Sequence, residues 1–254
     1  MPDELQNDGT QSIRRALDVL DMLAGSGHQG AKLTDIARAT RLSPPTVHRI
    51  LRVLVDREVV ERSPATRRYM VGQQIPNLAL ARTARSPLSL AAEPYLRNLA
   101  GNLGDTIYLT VRAGLDALCI ARQFGTFHIQ VVTIQVGVRR ALGVSAAGVA
   151  MLAAMSEMDA RDIIARNAHR YPAAGVSRTR VEDMASQARR RGFFFRERGL
   201  IAGTRAVSVA IPATDSTPLA SITAGAVDYR LTARRASEVA EVLHATVRTL
   251  LRGL

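Results

Sequence analysis

The chain has 254 residues, of which 47% are apolar, 22% charged and 4% aromatic, and its formal net charge is +12. That length and balance fit one large or two small globular domains with a real core, and they exclude long-range disorder. No uncharged apolar run reaches the roughly 18 residues that a membrane-spanning helix requires, so no membrane partner is expected.

Met1-Pro2-Asp3-Glu4 lacks the basic-then-apolar layout of a signal peptide. The single cysteine, Cys119, excludes an internal disulfide, and both features fit a reducing, cytoplasmic compartment. Lys32 is the only lysine among the 34 basic residues, so arginine carries nearly all the positive charge. Such an excess points to a polyanionic partner such as nucleic acid, or to charge kept for solubility.

Residues 1–11 are polar and aperiodic and read as a disordered tail. From Ser12, placed to cap, Ile13, Ala16, Leu17, Leu20 and Leu23 recur at helical spacing. Gly25 to Gly30, with three glycines in six residues, interrupts that helix. A second short helix starts at Leu33-Thr34-Asp35, with Thr34 as its expected N-cap and Ile36 and Ala37 facing inward. After Arg41-Leu42, Ser43 is placed to cap a third helix whose first turn holds Pro44 and Pro45, where no N–H is needed. In it Val47, Ile50, Leu51 and Leu54 form one apolar stripe.

Val59 to Arg62, a turn at Ser63-Pro64-Ala65-Thr66, and Arg67 to Val71 read as a small hairpin closed by Gly72. Between Arg38 and Arg68 lie eight arginines against Asp56, Glu58 and Glu61. A charge run of this kind is usually a solvated face. Here it overlies three helices and a basic-tipped hairpin, the plan of a winged helix-turn-helix over residues 12–72. Residues 73–87 read as a linker helix stopped by Pro87.

From Leu88 the pattern changes. A helix is expected around Ala91–Leu103, with strands at Thr106–Arg112, Ala117–Arg122 and His128–Ile134. Helices follow at Ser145–Met155, Asp159–Ala168 and Val181–Arg191, then strands at Ala206–Ile211 and Leu219–Val227, and a long amphipathic helix from Thr232 to about Leu251. Strands mixed with helices in this order indicate an α+β sensor-like domain over residues 88–254 rather than a doubly wound parallel sheet.

Ser12-Ile13-Arg14-Arg15-Ala16-Leu17, Leu33-Thr34-Asp35-Ile36-Ala37 and Leu42-Ser43-Pro44-Pro45-Thr46-Val47-His48-Arg49-Ile50-Leu51 resemble the N-terminal third of the IclR-type bacterial transcriptional regulators. Tyr69 to Gly72 is similar to that family's wing closure. The likeness runs on through Gly137 to Arg139, Ser145 to Gly148, Glu197 to Ile211 and Ala220 to Arg230. The resemblance implies a winged-helix DNA-binding domain, a linker helix, and a GAF-like C-terminal domain whose curved antiparallel sheet, flanked by helices, binds small metabolites. It also implies homodimers or dimers of dimers, and control of catabolic genes by organic acids, aromatic ones included. Ala141-Leu142-Gly143 stands where relatives commonly have Pro-Leu-His, and Val149 replaces a common lysine. Ala206 and Thr223 replace Cys or Ser and Ser or Asn, so the effector cannot be carried over.

A recognition helix places short polar and cationic side chains at base edges while its other face packs on the core. Thr34, Ser43, Thr46, His48, Arg49, Arg52, Arg67 and Arg68 are the candidate contacts to an operator duplex. Ser43 either caps its helix or touches phosphate, and Arg49 either forks onto guanine or neutralises phosphate. His48 either joins them or packs on the first helix. Arg67 and Arg68 at the hairpin point to backbone contact, and Arg52 reads as solvated or backbone-facing.

In the second domain, the helix start at Ser145 and Ala146 offers free N–H groups and a positive dipole end to a carboxylate. By resemblance, Ala206, Ser208, Thr223 and Gly225 on two strands lie across from it with Glu197 before them, and Tyr108 and Leu142 supply wall. Ordinary roles compete: Ser145 as a plain N-cap, Thr223 as a strand residue facing its neighbours.

The five histidines are scattered without metal-ligand spacing, and no phosphate-cradling Gly-rich loop or Gly-x-Ser-x-Gly elbow occurs. No metal, cofactor or catalytic residue is expected. Cys119 in Ala117-Leu118-Cys119-Ile120 reads as a buried small hydrophobe. The expected function is a sequence-specific DNA-binding regulator controlled by a small organic acid and acting as a homo-oligomer, since one recognition helix reads only a few base pairs. The alternatives are an enzyme on the C-terminal domain targeted to DNA, and an architectural DNA binder with a degenerate sensor.

Overall fold

The computed structural model describes residues 8–83, 88–214 and 219–254, and the chain divides into two compact units, Met1–Ala84 and Arg85–Leu254. The first unit opens with α1 (Asp8–Gly25), which begins within the segment expected to be a tail. Ser12 therefore sits inside the helix rather than capping it. Residues 1–7 of the expected tail lie outside the described residues.

A 3₁₀ turn at Gly27–Gln29 follows, then α2 (Leu33–Thr40) and α3 (Pro44–Asp56). The N-cap of α2 is Lys32, which makes no side-chain capping bond, so Thr34 is a first-turn residue and not the cap. Arg41 ends α2 in the left-handed region, φ 56°, with its N–H on the Ala37 carbonyl. Ser43 caps α3 as expected, accepting from Thr46 N, with proline in the first turn.

The hairpin is β1 (Val60–Arg62) and β2 (Tyr69–Val71), paired antiparallel with Glu61 opposite Met70. Val19, Leu23, Ile36, Val47, Leu51 and Val60 are all at or below 1% exposed, and Ile50 and Leu54 pack against them from the same stripe of α3. Gly72 closes the hairpin by donating to the Val59 carbonyl at 2.9 Å. A Cβ there would collide with the Glu58 carbonyl, so only glycine fits. The linker helix is α4 (Gln74–Thr83); Arg85 and Pro87, at its expected end, lie outside the described residues.

The second unit contains α5 (Leu88–Leu103), β3 (Thr106–Ala113), β4 (Asp116–Gln123), β5 (Arg139–Ala141), α6 (Ala146–Ala154), α7 (Glu157–Asn167) and α8 (Arg178–Arg191). It continues with β6 (Phe194–Arg196), β7 (Thr204–Ile211), β8 (Ala220–Val227) and α9 (Ala233–Arg252). Six strands form one antiparallel sheet in the order β5-β4-β3-β8-β7-β6, curled as a half-barrel.

Strand β8, Ala-Ser-Ile-Thr-Ala-Gly-Ala-Val, shows why the sheet has two different faces. Ala220, Ile222, Ala224 and Ala226 join Ile107, Leu109, Val207, Val209 and Ile211 in an apolar layer under α5 and α9. The intervening Ser221, Thr223 and Gly225 point to the other face, as a two-residue period demands. On that side a second core gathers residues of α6, α7 and α8, among them Val149, Ile163 and Val181, with Tyr171 from the segment between α7 and α8.

The expected strand at His128–Ile134 is not a strand but an irregular segment. Side chains hold it instead of a ladder. Gln130 Nε2 donates to the Gly104 carbonyl at 3.2 Å and to the Phe127 carbonyl, and its Oε1 accepts from Thr106 Oγ1 at 2.9 Å. The Tyr108 hydroxyl donates to the Val131 carbonyl and accepts from Thr133 N at 3.2 Å.

Candidate DNA-binding face and effector cavity

The two candidate sites lie one in each unit. In α3, successive residues turn by about 100°, so burying Val47 and Leu51 sends Pro45, Arg49, Arg52 and Asp56 to the opposite side. Ser43, His48, Arg49 and Arg52 are exposed and Thr46 is half-buried. His48 therefore does not pack on α1. Arg49, Arg52 and Arg67 have no acidic partner within ion-pair distance among the described residues, whereas Arg38 lies 3.8 Å from Asp35 and Arg57 3.9 Å from Asp56.

Not every expected contact is free to serve. The Ser43 hydroxyl is taken up by its own helix, at 3.4 Å from Thr46 N and 2.8 Å from Thr46 Oγ1, which engages both hydroxyls in the cap. Thr34 is exposed on α2. At the hairpin tip Arg67 takes a left-handed φ of 55° and donates its N–H to the Ser63 carbonyl, leaving its side chain exposed. Arg68 behaves differently: its guanidinium turns back to donate to the Gly30 carbonyl at 3.0 Å and is half-buried. It braces the wing against the loop before α2 rather than projecting from it.

In the second unit a cavity enclosing about 50 Å³ and opening into a wider mouth lies between the polar face of the sheet and the start of α6. The structure brings Tyr108, Ser145, Ala146, Ala206, Thr223 and Gly225 together in its wall. Tyr108 pairs with Thr223 and Ala206 with Gly225 across the strands. A Cβ at Gly225 would press on the Tyr108 ring at 3.3 Å, so glycine gives the ring its seat. Burial pushes the Tyr108 phenol above its usual range despite its bonds to Thr133, so it stays neutral at the bottom of the site.

Leu142, Ser208 and Glu197 are not in the wall. Leu142 is fully buried in the core against α8. Ser208 is one layer behind, its hydroxyl 2.8 Å from Thr223 Oγ1. Glu197 is exposed in a separate surface groove with Arg180, Arg191 and Arg198.

Sequence reasoning missed the cationic part of the cavity. Arg140 on β5, Arg196 on β6 and Arg205 on β7 line it, although β5 and β6 are the two opposite edges of the sheet. Six strands laid flat would hold the edges roughly 24 Å apart at ~4.8 Å per strand, so the curl is what lets both reach one cavity. Arg196 Nη1 donates to the Val144 carbonyl at 2.7 Å, which puts its guanidinium beside the first turn of α6. Arg140 Nη2 donates to the Thr133 carbonyl at 2.9 Å. Burial lowers the pKa of both arginines, and that of Arg196 is lowered further by Arg140 and Arg180. Neither has a carboxylate within ion-pair distance among the described residues, and the cavity wall contains no Asp or Glu. The Ser145 hydroxyl accepts from Gly148 N at 3.1 Å, leaving the Ala146 and Ala147 N–H groups as helix-start donors without intrahelical partners.

No helix among the described residues is long and apolar enough to cross a membrane. Among the same residues no cluster of His, Cys, Asp or Glu has metal-binding geometry. Cys119 is buried, and burial pushes its thiol up to about 11.

Comparison with known proteins agrees with this two-part organisation. Residues 12–64 match the IclR helix-turn-helix domain, and residues 81–252 match the C-terminal domain of bacterial IclR transcriptional regulators. The transcriptional regulator BhcR of Paracoccus denitrificans is 29% identical over 249 residues, covering 97% of this chain and 88% of that protein. The transcriptional repressor IclR of Escherichia coli is 26% identical over 231 residues, covering 90% and 84%. Among solved structures, an IclR-family regulator from Brucella abortus superposes with a TM-score of 0.77 at 19% identity, covering 100% and 97% of the two chains. An IclR homologue from Microbacterium hydrocarbonoxydans, solved with 4-hydroxybenzoate, gives 0.73 at 20% identity, covering 96% and 100%. Joined to a helix-turn-helix with outward-facing arginines on its third helix and a sheet that curls around a cavity, these matches place the chain in the IclR family of bacterial transcriptional regulators.

Proposed function

We propose that this regulator reads an operator duplex through α3 and its wing, and that a small organic acid held in the cavity controls that binding. Arg49 and Arg52 supply the major-groove and phosphate contacts, with His48 and Thr46 on the flanks, and exposed Arg67 at the wing tip meets the backbone. Ser43 serves by fixing the helix start. The observation that carries the effector half is a cavity rich in cationic and N–H donors with no acidic residue in its wall. Such a lining favours an anion. Tyr108, Ala206, Thr223 and Gly225 shape the site, and the first turn of α6 receives a carboxylate. The 4-hydroxybenzoate complex of the Microbacterium homologue is a precedent for an acid ligand on this fold.

The protein acts without catalysis, in the cytoplasm, and as a homo-oligomer, because pairing across a palindrome is how a single short recognition helix gains useful specificity. Fluorescence anisotropy on DNA fragments from its own upstream region tests this reading. Arg49→Ala is expected to weaken binding by about 1–3 kcal/mol with an unchanged fold. Unchanged affinity in that variant refutes the assignment of α3. Failure of every organic acid in a broad panel to alter DNA affinity refutes the effector reading.

A further inference from the structure

Three arginines line the cavity, Arg140, Arg196 and Arg205, and none has a carboxylate within ion-pair distance among the described residues. Arg205 spends its guanidinium on the carbonyls of Glu197, Asp228 and Leu231, which leaves Arg140 and Arg196 to face the cavity. Arg140 spends one of its five N–H groups on the Thr133 carbonyl. Arg196 spends two, on the carbonyls of Val144 and Arg198. All three acceptors are neutral backbone oxygens, so the bonds orient the side chains without neutralising them.

Asp105, whose side chain is 1% exposed, lies 2.6 Å from both Arg230 and Arg235, and Arg170 lies 2.6 Å from Asp116. Arg230, Arg235 and Arg170 are thus matched by carboxylates, whereas Arg140 and Arg196 are not. They also repel one another, and Arg180 adds to the positive potential on Arg196. Arg196 also lines the outer groove beside Glu197, the acid nearest in sequence, but Glu197 is exposed and not within ion-pair distance of it.

A single negative charge placed in the cavity leaves one guanidinium still unmatched in a poorly solvated site. Two negative charges match both, and the donors at the start of α6 favour the same sign. We infer that the effector is a dianion, an acid bearing two negative charges that are shared between Arg140 and Arg196. This rests on the reading of the cavity as an effector site and deepens it by fixing the charge of the ligand. A second carboxylate and a phosphate monoester offer the same chemistry to the pair.

Isothermal titration of the full chain with matched acids separates these possibilities. The pairs are butyrate with succinate, benzoate with terephthalate, and glycolate with phosphoglycolate. At least one dianion is expected to bind tenfold or more tightly than its monoanionic partner. A preference confined to the first two pairs identifies a dicarboxylate, and one confined to the third identifies a phosphorylated acid.

In Arg140→Gln the preference is expected to fall to less than threefold. Arg196→Lys retains the charge, and the preference is expected to survive in it. Since Arg196 also braces Val144, this charge-keeping variant and the Arg140 variant together separate charge matching from folding. Equal affinity for both members of every pair overturns the dianion while leaving an acid effector standing. A preference undiminished in Arg140→Gln also overturns it. Absence of binding by all six acids overturns both the dianion and the acid-effector reading.

Discussion

Replacing Tyr108 by Phe removes one oxygen atom and tests how the cavity is closed. The ring is 3% exposed and keeps its seat over Gly225, so no void opens. What is lost is the hydroxyl that donates to the Val131 carbonyl and accepts from Thr133 N at 3.2 Å. Val131 is 5% exposed, so water does not readily replace that donor, and its carbonyl bears the desolvation cost. Thr133 is half-exposed, and solvent restores most of its bond. The cost is therefore near that of one unsatisfied buried acceptor, about 1–3 kcal/mol. Gln130 still ties the same segment to Gly104 and Thr106, so the loss is expected as local opening and not as global unfolding. Amide hydrogen exchange reads it directly, because Thr133 N–H is itself the donor. Its protection is expected to drop by roughly 5- to 150-fold at an unchanged urea midpoint. Unaltered protection at Thr133, or a loss spread evenly over the sheet, refutes the view that Tyr108 holds this wall.

Other perturbations probe the remaining supports. Leu51 is fully buried between α3 and the rest of the first unit, so Leu51→Ala is expected to cost about 2–5 kcal/mol in that unit's denaturation. Asp105→Asn strands two guanidiniums that now sit 2.6 Å from the carboxylate. It is expected to destabilise the second unit by about 3–5 kcal/mol in urea titrations. Cys119, with its thiol pushed up to about 11 by burial, is expected to react with a maleimide at pH 8 only after unfolding. Its raised pKa contributes stability that is fully present below the ordinary thiol value of 9.0 and is lost as pH rises through about 11. Rapid labelling of the native chain contradicts that placement.

Much of the first unit was legible before any coordinates. Val47, Ile50, Leu51 and Leu54 repeat with the helical period, and Ser43-Pro44-Pro45 is a start signal that works locally. The start of α1 was not legible, since Asp8 to Gln11 carry no apolar period. The capping of α2 was misassigned for a related reason: Thr34 is a suitable capping residue, but the helix begins one residue before it, with Lys32 at the cap. In the second unit the long strands announced themselves by alternation. The edge strands β5 and β6, three residues each, are too short to show a period. The segment His128–Ile134 looks like a strand because it is rich in apolar and β-branched residues, but its bonds go to Tyr108 and, through Gln130, to Gly104 and Thr106.

Local pattern thus settled the helix-turn-helix, the wing and the alternation of β8, because each depends on residues a few positions apart. Charge placement was beyond its reach. That Arg68 turns inward while Arg67 stays outside depends on where the Gly30 carbonyl lies. That Arg140 and Arg196 meet in one cavity depends on the curl of a sheet whose opposite edges carry them. Curvature sums small twists over all six strands, so only the folded chain decides which of its arginines become neighbours.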